Sequence, residues 1–186
     1  MRLLLLVSVL ALLFSSSCKD KELLNPPGFN SIQASQDYLT AENIFNDIGN
    51  TVKDAFFDNG IARLAYPEYT RINADTANED TLIINFGPDN ILFKNKLRRG
   101  KIVSIYSGKY RDSLTVITTY FDQYYINNNL IEGTRVIENQ GSNTQGNIWF
   151  LVTVNNSSIT TANGVINWES NRIREWISGS STILNP

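Results

Sequence analysis

The sequence predicts a mainly β, α+β fold: an antiparallel meander forming a curved sheet or barrel-like sandwich, with one N-terminal amphipathic helix packed on it. Three observations carry that expectation. Ala41, Ile44, Phe45, Ile48, Val52, Ala55 and Phe56 recur at three- and four-residue steps, the spacing of one helix face. After about Tyr66 the chain is rich in Ile, Val, Thr, Tyr and Phe and broken by Asn, Gly and Asp, which is strand-and-turn composition. The links between these runs are short, Asn127-Asn128-Asn129 and Asn163-Gly164 among them, and suit hairpins between neighbours.

The first element is not part of that fold. Met1 and Arg2 precede a nearly unbroken apolar run from Leu3 to Phe14, then Ser15, Ser16, Ser17 and Cys18. A basic start, about a dozen apolar residues and a cluster of small ones read as a secretory signal, too short for a permanent membrane span. Residues 1–17 are therefore expected to be removed. Cys18 resembles the lipidated cysteine of a bacterial lipobox, with small residues before it, although Ser15 stands where that motif usually has Leu. Ordinary secretion is the alternative, since Ser15 and Ser17 also satisfy a small-x-small cut. That route would leave an unpaired thiol at the start of an exported chain.

Residues 18–36 read as the lipidated cysteine and a flexible tether, because Asn25, Pro26, Pro27 and Gly28 do not fit inside an element. Lys19, Asp20, Lys21 and Glu22 look like a tag for the outer cell surface, or else are a solvated linker. One domain is expected over residues 37–186. Its helix should run over 41–58, capped by Thr40 and stopped by Asn59-Gly60. Strands are expected at 68–73, 81–86, 101–107, 114–126, 130–139, 147–155, 157–161 and 165–178. Both faces of the stretch from Val116 to Phe121 are moderately apolar, so the long strands should be covered on both sides. Glu132, Arg135, Val136 and Glu138 are echoed by Glu169, Arg172, Ile173 and Glu175. At period two, the glutamates of each copy share a face and the arginine points the other way.

Absences limit the chemistry more than anything present. The chain has no histidine and a single cysteine, so a Ser-His-Asp triad, a His-ligated metal and, with Cys18 lipidated, thiolate catalysis are ruled out. Only carboxylates, Lys, Ser or Tyr could serve an enzyme. Lys and Arg number 16 against 18 Asp and Glu, for a net charge of −2, and no basic stripe suggests a nucleic-acid partner. No cofactor and no metal site is implied. Asn73, Asp75, Asn78, Glu79 and Asp80 offer oxygen ligands but lack the spacing of a calcium loop.

Two constellations remain. The last strand should place Trp168, Arg172, Arg174 and Trp176 on one face, where indoles could stack on a sugar and guanidiniums hold its hydroxyls or an acidic substituent. The plainer reading is a cation–π and cross-strand ladder. Glu132, Glu138, Glu169 and Glu175 could supply a glycosidase pair or simply cross-strand ion pairs.

The run from Asp80 to Gly87, Arg99-Gly100-Lys101-Ile102-Val103 through Tyr106-Ser107-Gly108, Val116 to Asp122 with Tyr124-Tyr125, Glu132-Gly133-Thr134-Arg135, and Trp168 through Arg172 to Trp176 together resemble a family of uncharacterised Bacteroidota lipoproteins. The resemblance implies an outer-membrane lipoprotein facing the cell surface or periplasm, with a β-rich body. It brings no activity and no site residues. It also implies further strands beyond Asn185-Pro186, so the chain reads as C-terminally truncated. The expectation is a non-catalytic binding or structural role in the envelope, with the membrane as partner through the lipid and a glycan or envelope protein as ligand. The alternatives are a glycan-handling module and a carrier of lipid or apolar cargo.

Overall fold

The computed structural model describes residues 27–57, 66–73 and 79–178. Cys18, the signal segment, Asn59-Gly60 and most of the acidic loop before Asp80 lie outside the described residues. The chain divides into two compact units, Met1–Ser35 and Gln36–Pro186. Of the first, the described part is helical. The packing described below concerns the second.

Helix α1 spans Pro27–Phe57, which corrects the tether expected to extend to residue 36 and removes Thr40 from the capping position. Proline is tolerated in the first turn because its missing N–H would have no intrahelical acceptor there and its fixed φ is already helical. The Pro-Gly pair therefore opens a helix instead of forbidding one. The expected apolar face is the one used: Ala41, Ile44, Phe45, Ile48, Val52 and Ala55 are all buried. At the far end, Arg71 Nη2 donates to the Ala55 carbonyl at 2.7 Å, satisfying one of the last-turn acceptors that the helix leaves open. No described helix is long and apolar enough to cross a membrane.

The strands are β1 Glu68–Ile72, β2 Asp80–Asn85, β3 Ile91–Phe93, β4 Lys96–Tyr106, β5 Val116–Ile126, β6 Asn129–Ser142, β7 Ile148–Thr161 and β8 Gly164–Glu175. They form one open antiparallel sheet in the order β1-β2-β4-β5-β6-β7-β8, with β3 paired to β4. The meander is thus present, and the sheet does not close into a barrel. Two expectations about strands need correcting. The β3–β4 hairpin was not foreseen, because Lys94-Asn95 looks like part of a basic patch. Both residues have positive φ, 49° and 60°, the requirement of a tight two-residue hairpin turn. The pair expected as 147–155 and 157–161 is a single strand, β7, carrying a bulge between Val154 and Ser157. Asn156 takes up the extra residue at φ 45°. Opposite it, Gly133 (φ 108°) has room for no side chain, since a Cβ there would sit 2.2 Å from Ser157 Oγ.

α1 covers one face of the sheet. Between them lie Leu82, Ile84, Phe86, Ile102, Ile117, Tyr124, Ile126, Ile137, Phe150 and Val154, all buried with the helix face. The opposite face is not covered among the described residues: Val116, Tyr120, Val165 and Ile173 are exposed there, contrary to the expected two-sided cover. β-branched and aromatic residues sit well on a pleated solvent face, so apolar content on both sides of a strand did not require a second layer.

Candidate functional site

Of the four residues singled out on the last strand, Trp168, Arg172 and Arg174 share one face of β8, and it is the face under α1. Alternation along β8 leaves Ile166, Trp168, Ser170, Arg172 and Arg174 half-buried and their neighbours exposed. Trp168 meets Tyr38 of α1 edge-on, with ring centroids 5.2 Å apart. Arg172 forms an ion pair with Glu42 of α1 and donates to Ser170 Oγ at 3.1 Å. Arg174 reaches Asn46 Oδ1 at 3.4 Å, and its charge works against the burial that raises the Tyr110 pKa. Trp176 lies just past β8 in an aromatic group, 5.6 Å from Phe150 and 6.2 Å from Tyr110, with the Arg111 guanidinium 5.4 Å from its ring. The two indoles therefore stand in different surroundings, one at the bulged end of the strand and one in the core beside Tyr110. They do not make a joint platform.

Behind this face the structure brings in residues that sequence reasoning did not select. Arg135 on β6 is aligned with Val154 on β7, and Val154 with Ser170 on β8, so its side chain shares the helix-facing side with Arg172 and Arg174. It is 1% exposed. Its guanidinium packs on the helix backbone at Gly49, where a Cβ would lie 2.5 Å from Nη2. Nη1 is buried with no hydrogen-bond partner. Burial, opposed by the Tyr110 hydroxyl and reinforced by Arg174 and Arg172, pushes its pKa down to about 10. Tyr110 is raised, chiefly by burial. The Arg172 Nε and Trp168 Nε1 donors are likewise buried without partners. A small recess of about 130 Å³ opens here, lined by Asn46, Val152, Arg172, Ile173 and Arg174. The signal that could have found Arg135 is Gly49 itself: a glycine on the buried face of a long helix costs stability, which implies something bulky opposite.

The glutamates lie elsewhere. Glu132, Glu169 and Glu175 are exposed and Glu138 half-exposed, on the face away from α1. β7 separates β6 from β8, so the two pairs of glutamates stand on strands whose backbones are about 10 Å apart. Glu175 accepts from Asn143 and Asn147 at 2.6 and 2.7 Å, and these bonds lower its pKa. A general acid of a glycosidase needs the opposite shift. No group of three or more Asp, Glu or Cys side chains is positioned for a metal among the described residues.

Comparison with protein-family models, curated proteins and solved structures yields no match to this chain. Function has to be read from the residues.

Two further recesses have defined chemistry. One of about 610 Å³ surrounds the β7 bulge, lined by Asn156, Ser157, Ser158, Asn167, Trp168 and Glu169. Another, of about 860 Å³, lies beyond the end of α1 and combines Phe56, Phe57, Tyr106 and Tyr110 with Arg71, Asp80 and Lys109.

Proposed function

We propose that this chain is an extracytoplasmic lipoprotein, tethered through acyl chains on Cys18, whose helix-covered sheet serves a non-catalytic binding or structural role in the envelope. The observation that carries the anchor is the run from Met1 to Cys18, a basic start, an apolar segment and small residues ending at the only cysteine. The non-catalytic part is supported by the site chemistry. The four glutamates face away from α1 towards solvent, there is no histidine, and the inward arginines are engaged by Glu42, Asn46 and Gly49 of the helix. Intact-mass measurement of the mature protein should give the mass of residues 18–186 plus acyl chains, and Cys18→Ala should abolish palmitate incorporation. A bare first residue on material released into the medium would refute the anchor.

One observation favours a glycan as the ligand. Asn156, Ser157, Ser158 and Asn167 line one recess with Trp168 at the bulge, and their amides and hydroxyls match sugar hydroxyls. On a glycan array, Trp168→Ala should lose any binding while Trp176→Ala keeps it, because Trp176 packs on Tyr110 and Phe150. Equal loss from both variants would point to unfolding instead. The carrier alternative has less support: the recess beyond α1 carries Arg71, Asp80 and Lys109, poor company for an apolar cargo.

A further inference from the structure

Three guanidiniums meet under the middle of α1, between Glu42 and Gly49, with too little negative charge to balance them. Arg172 has Glu42. Arg174 has the neutral amide oxygen of Asn46. Arg135, the most deeply buried of the three, pairs with no carboxylate among the described residues, and its Nη1 has no acceptor. A buried cation without a counter-charge is costly, and a neutral acceptor relieves the hydrogen bond but not the charge. The arrangement is nevertheless built for it. Gly49 gives up helix propensity so that the guanidinium can lie against the backbone, and β6, β7 and β8 hold Arg135, Arg172 and Arg174 on one face.

The cluster also has an opening. Asn46 lies three residues before Gly49 on α1, so the two share a side of the helix. Asn46, Arg172 and Arg174 line the 130 Å³ recess at the edge of β8, and Arg135 touches the helix one turn further on. That volume is well below the roughly 300–1,000 Å³ of sites that enclose a whole drug-sized molecule. It suits a small charged group. Arg N–H groups are matched by planar or tetrahedral oxyanions, which accept two such bonds at once.

We propose that Arg172 and Arg174, with the Asn46 amide and with Arg135 behind them, form a binding site for a small oxyanion, a carboxylate, sulfate or phosphate group, admitted at the edge of β8. The site does not depend on the lipid anchor, and it would supply an acidic-group contact to a glycan held at Trp168, two residues from Ser170 on the same strand face.

The test titrates the full-length chain, purified in non-ionic detergent, with sodium sulfate, sodium phosphate, glucuronate and, as the neutral control, glucose, at constant ionic strength. Two readouts are used: calorimetry, and the ¹⁵N-arginine Nε–Hε resonances of Arg172 and Arg174. The expected result is saturable binding that shifts both resonances and weakens at least tenfold in Arg174→Gln, with no response to glucose. Binding of sulfate or phosphate identifies a free anion as sufficient, whereas binding of glucuronate alone identifies the carboxylate of a sugar. The wild-type resonances report even if Arg174→Gln does not fold. No saturable response to any of the three anions, or affinity unchanged in a folded Arg174→Gln, overturns the proposal.

Discussion

Arg98 and Arg135 are both shut away from solvent beneath α1, at 0% and 1% exposure, and they are held in opposite ways. Arg98 donates to Asp47 Oδ2 at 2.7 Å, to the Tyr124 hydroxyl at 2.7 Å and to the Phe93 carbonyl at 3.3 Å. Its guanidinium also lies 5.6 and 5.7 Å from the rings of Phe93 and Phe86. The other oxygen of Asp47 takes Lys96 at 2.9 Å. Arg135 has a helix backbone, a tyrosine and two like charges around it. A buried charge that is neutralised in place fastens the β3–β4 hairpin to the helix; one left without a counter-charge is a cost that the fold carries. Along the same turn of α1, Asp47 neutralises Arg98, whereas Arg135 against Gly49 keeps an unbalanced charge.

The sharpest way to break the contrast is to remove a partner on each side. Asp47→Ala strands the Arg98 charge and should lower stability by about 3–5 kcal/mol, measured by urea unfolding. Arg135→Met should stay within about 1 kcal/mol of wild type or be more stable, since an unpaired buried charge is replaced by apolar volume. Equal losses would erase the distinction.

The next effect is alkaline. Burial pushes Tyr124 up to about 12 from an ordinary value of 10. Arg98 opposes that shift. The folded state therefore holds this proton more tightly than the unfolded chain. Its stabilising contribution is complete below pH 10 and is lost as pH rises from about 10 to 12, on the order of 2–3 kcal/mol. Tyrosinate absorbance should show a late step near pH 12 that Tyr124→Phe removes.

Smaller still is Gly49→Ala. A glycine-to-alanine change inside a helix normally stabilises by up to about 1 kcal/mol. Here it should destabilise by about 1–2 kcal/mol, because the new methyl would lie 2.5 Å from the Nη2 of a guanidinium buried to 1% exposure. In an Arg135→Met background the sign should reverse, which a double-mutant cycle on thermal unfolding would register. Least of all, Lys101→Ala, which removes the exposed pair with Asp122 at 3.2 Å, should change stability by less than about 1 kcal/mol, and less again at high salt.

Legibility followed the range of the forces involved. The β5–β6 hairpin could be read directly, because Asn127 and Asn128 tolerate the positive φ, 50° and 65°, that the turn imposes. β3 could not, since lysine at a positive-φ turn position carries no local mark. The start of α1 was misread because Pro27 counts equally as a breaker and as a first-turn residue, and composition does not choose between them. Trp168, Arg172 and Arg174 were picked out for sharing a face, and they do. Which layer that face looks into was a separate matter.

Residue order alone was enough for the helix face from Ala41 to Ala55, the run of strands joined by short turns, and the opposed faces of the glutamates and arginines in β6 and β8. Each of these follows from backbone geometry repeated every two or 3.6 residues. Folding in three dimensions decided that α1 lies over the arginine face, that Arg98 finds Asp47 while Arg135 finds Gly49, and that the recess at β8 opens beside them. Those outcomes join residues dozens of positions apart, and no local spacing records which charge meets a counter-charge once water is gone.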